Sequence, residues 1–98
     1  MARYVVLFNW TEQGIRNFGD SVNRAEAAGK MFESLGGSLV DIYWTMGQYD
    51  IVGVADFPDD ETASAAMLRL GQLGNVKPTT LRAFDRQAMQ NIIGKTDS

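Results

Sequence analysis

Residues 44–50 (Trp-Thr-Met-Gly-Gln-Tyr-Asp) constrain the fold of this chain more than any other segment. They join two runs, residues 38–46 and 49–57, that are rich in the β-branched and aromatic residues typical of strands. Gly47-Gln48 suits a two-residue type II′ turn, which prefers glycine first. We therefore predict an antiparallel hairpin with these pairs: Tyr43 with Val52, Trp44 with Ile51, Thr45 with Asp50, and Met46 with Tyr49.

The predicted pairing assigns the hairpin residues to faces, because directly paired residues share one face of a sheet. One face has no charge and is expected to lie under helices: Val40, Ile42, Trp44, Ile51, Gly53, Ala55 and Phe57. The other face is mixed in character: Leu39, Asp41, Tyr43, Thr45, Asp50, Val52, Val54 and Asp56.

The remaining elements follow from strand composition, helical periodicity and caps. They are a strand over 3–10, a short helical turn over 12–17 capped by Thr11, a helix from 20 or 21 to about 35 ended by Gly36-Gly37, a helix that starts at 58–61, a strand over 76–84 and a helix over 85–93. Pro78 lacks the N–H that a sheet ladder needs, which indicates an edge strand. The order β-α-β-β-α-β favours a ferredoxin-like α+β sandwich, an antiparallel sheet of order 4-1-3-2 with both helices on one face. Ninety-eight residues suit a single domain over 1–98.

The predicted sheet has a largely apolar outer face opposite the helices. Its expected members are Tyr4, Val6, Phe8, Trp10, Val52, Val54 and Phe84. An apolar patch of this size needs a cover. We expect the same face of a second copy to provide it, giving a homodimer built as an α/β barrel.

The composition excludes several classes of function. The chain has no cysteine and no histidine. It therefore has no thiol nucleophile and lacks the commonest metal-ligating side chains, so we expect no metal and no cofactor. A net charge of −3 argues against a nucleic-acid partner. No apolar run approaches the ~18 residues of a membrane span, so we expect no membrane association and a cytoplasmic location.

Gly47-Gln48-Tyr49-Asp50, within residues 45–52, resembles the signature of the GYD domain family. Further similar segments are residues 10–14, 24–28, 74–76 and 80–84, so the resemblance covers nearly the whole chain. It implies a ferredoxin-like fold that forms dimeric α/β barrels. Proteins of this architecture include cofactor-free monooxygenases, haem-degrading enzymes, ligand-sensing domains and oligomerisation modules. The fold alone therefore does not indicate which function this chain has.

One end of the predicted sheet collects the ends of strands one and two and the starts of strands three and four. The residues expected to converge there are Trp10, Thr11, Tyr43, Thr45, Tyr49, Asp50 and Thr79. Aromatic walls with a few polar groups are typical of a small-molecule pocket. With Arg82 added for an anionic group, the predicted ligand-binding set is Trp10, Tyr43, Thr45, Tyr49, Asp50 and Arg82.

Each candidate also has a structural interpretation. Asp50, beside aromatic residues, can act as a general acid or base, or it can cap the hairpin or pair with Thr45 and an arginine of the partner. Arg82 can bind an anion or form a salt bridge, within the chain or across the dimer, to one of three carboxylates: Asp41, Asp50 or Asp56. Trp10 and Tyr43 can stack on a planar ligand or pack as interface core.

Three functional hypotheses follow. The leading one is a non-catalytic homo-oligomeric domain that binds a small apolar or aromatic ligand at the hairpin end of the barrel. The second is a cofactor-free monooxygenase that uses Asp50 as its base. The third is a purely structural assembly module. Only the second of these hypotheses makes the chain an enzyme, and the sequence does not decide between it and the other two.

Overall fold

The computed structural model describes residues 1–97, and Ser98 of the expected 1–98 unit lies outside the described residues. A 3₁₀ turn, Phe18–Asp20, joins the first two helices. The elements in chain order are β1 (Ala2–Trp10), α1 (Glu12–Arg16), α2 (Ser21–Ser34), β2 (Ser38–Trp44), β3 (Ile51–Phe57), α3 (Asp60–Gln72), β4 (Val76–Ala83) and α4 (Arg86–Lys95).

The four strands form one antiparallel sheet in the order β2-β3-β1-β4. This is the expected order 4-1-3-2 counted from the opposite edge. The hairpin register is as predicted where the ladder runs, with Trp44 opposite Ile51 and Tyr43 opposite Val52. The α+β class and the expected sequence of elements are therefore confirmed.

Local sequence signals explain where the helices begin and end. Thr11, Asp59 and Asp85 each accept a hydrogen bond from a backbone N–H in the first turn of α1, α3 and α4, at 3.1, 2.8 and 2.8 Å. These bonds satisfy donors that a helix N-terminus leaves without an internal partner. Gly36 follows α2 with φ of +80°, a left-handed conformation that glycine adopts without steric cost.

The hydrophobic core lies between one face of the sheet and the helices α2 and α3. The rings of Phe32 and Phe57 meet edge to face at its centre, with centroids 5.0 Å apart. The sheet contributes Tyr4, Val6, Phe8, Ile51, Ala55 and Phe57, α2 contributes Phe32, and α3 contributes Ala63, Ala66, Met67 and Leu70.

The face expected for β1 is wrong. Tyr4, Val6 and Phe8 are buried under the helices and do not lie on the outer face, because Val6 stands opposite Gly53 of the helix-side face. Trp10 packs against the same core, so it too lies on the helix side. Both faces of β1 are apolar, and alternation alone does not say which one points inward.

The faces at the start of β2 also differ from the expectation. Leu39 pairs with Ala55 while Asp41 pairs with Val54, so Val40 is an extra residue, a β-bulge. Leu39 consequently packs against the core, and Val40 is 47% exposed. Val40 was expected inside and Leu39 outside.

The actual outer sheet face (Val5, Leu7, Val52, Val54 and Leu81) is still apolar. Val5 stands between Val54 and Leu81, and Leu7 stands opposite Val52. All five side chains are partly exposed, and Leu81 is 47% exposed. The helices α2 and α3 pack on the opposite side, and none of the α4 residues is buried. Within residues 1–97, the outer sheet face therefore has no helical cover.

Candidate functional site

Asp50 connects the ends of three strands at the hairpin end of the sheet. Its Oδ2 accepts a hydrogen bond from the Trp10 N–H at 2.9 Å, and its own N–H donates to the Phe8 carbonyl at 2.9 Å. Its carbonyl oxygen accepts from the Thr45 N–H at 2.8 Å. The side chain thus provides an acceptor for β1 at the position just before the first residue of β3. This role differs from the hairpin cap considered from the sequence, because the carboxylate accepts from β1.

The turn residues next to Asp50 lie on the surface. The Thr45 hydroxyl donates to the Tyr49 carbonyl at 2.6 Å, and Met46 between them is 97% exposed. Tyr43, two residues before Thr45, lies on the outer side of the sheet. Its hydroxyl donates to Asp41 Oδ2 at 2.7 Å, and this hydrogen bond raises the pKa of the Tyr43 phenol.

Trp10 and Tyr43 lie on opposite faces of the sheet. Trp10 packs against the helix-side core, and its indole N–H is buried without an acceptor among residues 1–97. Tyr43 is 57% exposed on the other side. The two rings therefore cannot enclose one planar ligand within a single chain, contrary to the expectation that both point to the dimer side.

Arg82 lies far from the hairpin end. It stands opposite Tyr4, six residues from Trp10 along β1, which corresponds to about 20 Å of extended strand. Its guanidinium lies 3.7 Å from Asp60 Oδ1 and over the rings of Tyr4 and Phe84. Within one chain, Arg82 therefore pairs with Asp60 and not with Asp41, Asp50 or Asp56, and a salt bridge to one of these across a dimer stays a prediction.

The surroundings of Arg82 form a small polar network at the other end of the sheet. The Tyr4 hydroxyl donates to Asp60 at the first turn of α3. Burial, followed by this hydrogen bond and the nearby Asp60 charge, raises the pKa of Tyr4 to about 12. Asp56, on the outer side of the sheet, pairs with Arg3 at 2.9 Å instead, and that hydrogen bond lowers the pKa of Asp56.

Of the predicted ligand-binding set, the structure brings together Thr45, Tyr49 and Asp50, with the backbone of Trp10. Thr79, also expected nearby, lies on the outer side opposite Leu7. A role of these residues in binding a ligand stays a prediction, as does the cytoplasmic location. No helix within residues 1–97 is long and apolar enough to cross a membrane, and no group of three or more Asp or Glu side chains there could hold a metal ion.

The sequence interpretation missed a cleft of about 420 Å³ on the helix side. Its floor includes Phe8 and Ile51, and its walls are α2 and the C-terminal end of α3. The small side chains of Ala25 and Ala28 line it from α2. These alanines were visible as part of the inner stripe of the helix, and their small size was the available signal that α2 leaves space above the sheet.

Comparisons with known proteins agree on the family and the fold. A family model described as GYD domain matches residues 4–93. The glutamine synthetase and cystathionine beta-lyase binding protein of Thermus thermophilus is 32% identical over 85 residues, which cover 86% of this chain and 90% of the relative. The crystal structure of TTHA0845 from Thermus thermophilus has a similar fold, with a TM-score of 0.54, 24% identity, and coverage of 87% of this chain and 95% of that one.

Proposed function

This chain belongs to the GYD domain family, and we propose that it is a non-catalytic binding and assembly module that works through its outer sheet face. The observation that carries the proposal is the row of five apolar side chains from three strands, left open while both long helices cover the other face. Exposed apolar patches of several hundred Å² on soluble proteins mark interaction sites.

The polar groups around this face suit an interface. Arg3 and Asp56 lie beside the apolar row and neutralise each other through two hydrogen bonds at 2.9 and 3.1 Å. Tyr43 and Thr79 add hydroxyl groups on the same side. An apolar centre with a polar rim and no unpaired charge at the centre is typical of protein interfaces.

A second copy of this chain is the first partner that we propose. Two identical outer sheet faces are self-complementary under a twofold axis, which gives the paired sheets of an α/β barrel. In such a dimer, Tyr43, Thr45, Tyr49 and Asp50 lie near the edge of the interface, where a small ligand can also bind.

The relative from Thermus thermophilus is named for binding two enzymes, glutamine synthetase and cystathionine beta-lyase. We propose that this chain likewise binds another protein. The monooxygenase alternative finds less support, because the carboxylate of Asp50 already accepts a backbone N–H and is tied to the sheet.

Sedimentation of a charge variant tests this proposal. We expect the wild-type chain to form dimers or larger assemblies at micromolar concentration, and Val54→Asp to sediment as a folded monomer. Val22→Asp is the matched control, since Val22 is 58% exposed on α2, on the other side of the sheet. A wild-type chain that stays monomeric, or a Val54→Asp variant that keeps the wild-type mass, would overturn the proposal.

A further inference from the structure

We propose that the cleft between α2 and α3 is a second binding site, which takes a small amphipathic carboxylate. The cleft lies on the helix side of the sheet, so it is separate from the outer sheet face. Its volume of about 420 Å³ falls within the range of small-molecule sites, roughly 300–1,000 Å³.

The charge of the cleft is opposite to that of the chain. The chain carries a net charge of −3, with twelve acidic residues against nine basic ones. Among residues 1–97, the side chains that line this cleft include two arginines, Arg24 and Arg69, and no carboxylate. A local positive charge of this kind complements an anionic ligand.

The two arginines lie towards the same end of the cleft. The helix α2 begins at the hairpin end, because Ser21 accepts a hydrogen bond from the Trp44 indole N–H at 2.8 Å. The helix α3 ends there, because it leads into Val76, which stands opposite Trp10. Arg24, one turn into α2, and Arg69, one turn before the end of α3, therefore approach the same end from two sides.

The two guanidinium groups differ in how they are held. Arg24 donates to the carbonyl oxygens of Asn17 and Gly14, at 2.8 and 3.3 Å, which fixes its position at the cleft wall. Arg69 is exposed and forms no ion pair or side-chain hydrogen bond within residues 1–97. A fixed and an available guanidinium together suit a planar carboxylate, which accepts several N–H bonds.

The rest of the cleft suits the apolar part of such a ligand. Phe8, Ile42 and Ile51 form its floor, and Ala25, Ala28 and Met31 line the α2 side. An alkyl chain or a ring placed there would cover apolar surface that α2 leaves accessible to water. Apolar walls with a few polar groups at one end are typical of sites for amphipathic small molecules.

Amide chemical-shift titration with sodium octanoate tests the site directly. We expect millimolar octanoate to shift the amides of residues that line the cleft, and 1-octanol, which has the same chain without the charge, to bind at least roughly tenfold more weakly. Equal binding of the two compounds, shifts confined to other surfaces, or no shift at all would each overturn the proposal.

Two variants and a control sharpen this test. Arg69→Ala is expected to weaken octanoate binding roughly tenfold or more, because it removes a charge-assisted contact, and to leave the fold intact since Arg69 is exposed. Ala27→Trp, at an exposed position of the cleft rim, is expected to block binding of both compounds. Lys30→Ala, on the same helix but away from the cleft, should bind as the wild type does. Wild-type affinity in Arg69→Ala would refute the role of the charge.

Discussion

The Asp50 carboxylate accepts a hydrogen bond from the backbone N–H of Trp10, with 2.9 Å between Oδ2 and N. The strand β3 begins one residue later, at Ile51, so β1 has no strand partner on that side for its last N–H. A buried backbone donor without a partner is costly. The aspartate of the family signature therefore acts first as a substitute for the missing strand residue.

Removal of this acceptor should destabilise the fold measurably. We expect Asp50→Ala to lower the free energy of unfolding by about 1–2 kcal/mol, because the Trp10 N–H then loses its partner. Asp50→Asn should lower it less, since the amide oxygen can still accept. Urea unfolding measures both. Asp20→Ala is the control, because Asp20 forms no side-chain cap at α2. Wild-type stability in Asp50→Ala would contradict this role.

Two helical glycines are expected to respond in opposite directions to alanine. A Cβ on Gly14 would lie 1.9 Å from the Asn75 carbonyl oxygen, so Gly14→Ala forces α1 away from the loop before β4 and should cost about 1–3 kcal/mol. A Cβ on Gly29 of α2 would meet Leu39 at an ordinary 3.8 Å, so Gly29→Ala should gain up to about 1 kcal/mol in helix stability. Thermal unfolding measures the change in stability of each variant relative to the wild type. Equal changes in the two variants would refute the close approach at Gly14.

The sequence predicted those features that depend on local signals. The Thr11 cap, the end of α2 before Gly36 and the pairing of Trp44 with Ile51 follow from turn and helix chemistry, and all three are observed. The inward face of β1 could not be predicted, because both of its faces are apolar and only the register with β3 decides between them. No local sequence signal predicts the bulge at Val40. The bulge turns Leu39 towards the core and Val40 towards the solvent, the reverse of the predicted faces.

The candidate site was predictable only in part for the same reason. Thr45, Tyr49 and Asp50 are neighbours in sequence, and the structure keeps them together. Arg82 was added to the set because its charge suits an anionic group, and charge alone does not determine its place in the sheet. It stands opposite Tyr4 on the helix side, beside Asp60. The cleft depends on the distance between two helices, which helical periodicity does not specify.

The ion pair of Asp56 with Arg3 makes stability depend on acid pH. The hydrogen bond from Arg3 lowers the pKa of Asp56 in the folded chain, so the pair stabilises the fold above the unfolded pKa, about 4, and this contribution is lost as pH falls through the folded pKa. We expect Asp56→Asn to lose less stability than the wild type between neutral and acid pH. The hydrogen bonds from Thr62 also lower the pKa of Asp59, so the stability of Asp56→Asn should still fall somewhat as the pH becomes acid. The measurement is the urea midpoint of each protein as a function of pH. If the midpoints of the wild type and Asp56→Asn fall in parallel towards acid pH, the ion pair does not contribute as described.

Alkaline titration should show Tyr4 as a phenol that ionises late. Burial, with the hydrogen bond and charge of Asp60, raises its pKa to about 12 from an ordinary value of about 10. Because the folded pKa is raised, the stabilisation from protonated Tyr4 is complete below pH about 10 and is lost as pH rises towards about 12. We expect Tyr4→Phe to remove a late step from the ultraviolet absorbance of tyrosinate. Asp60→Ala should lower the pKa of Tyr4 but leave it above its ordinary value, since burial is the largest cause. If Tyr4→Phe leaves the late part of the curve unchanged, or Asp60→Ala returns Tyr4 to an ordinary pKa, this account of the buried phenol is wrong.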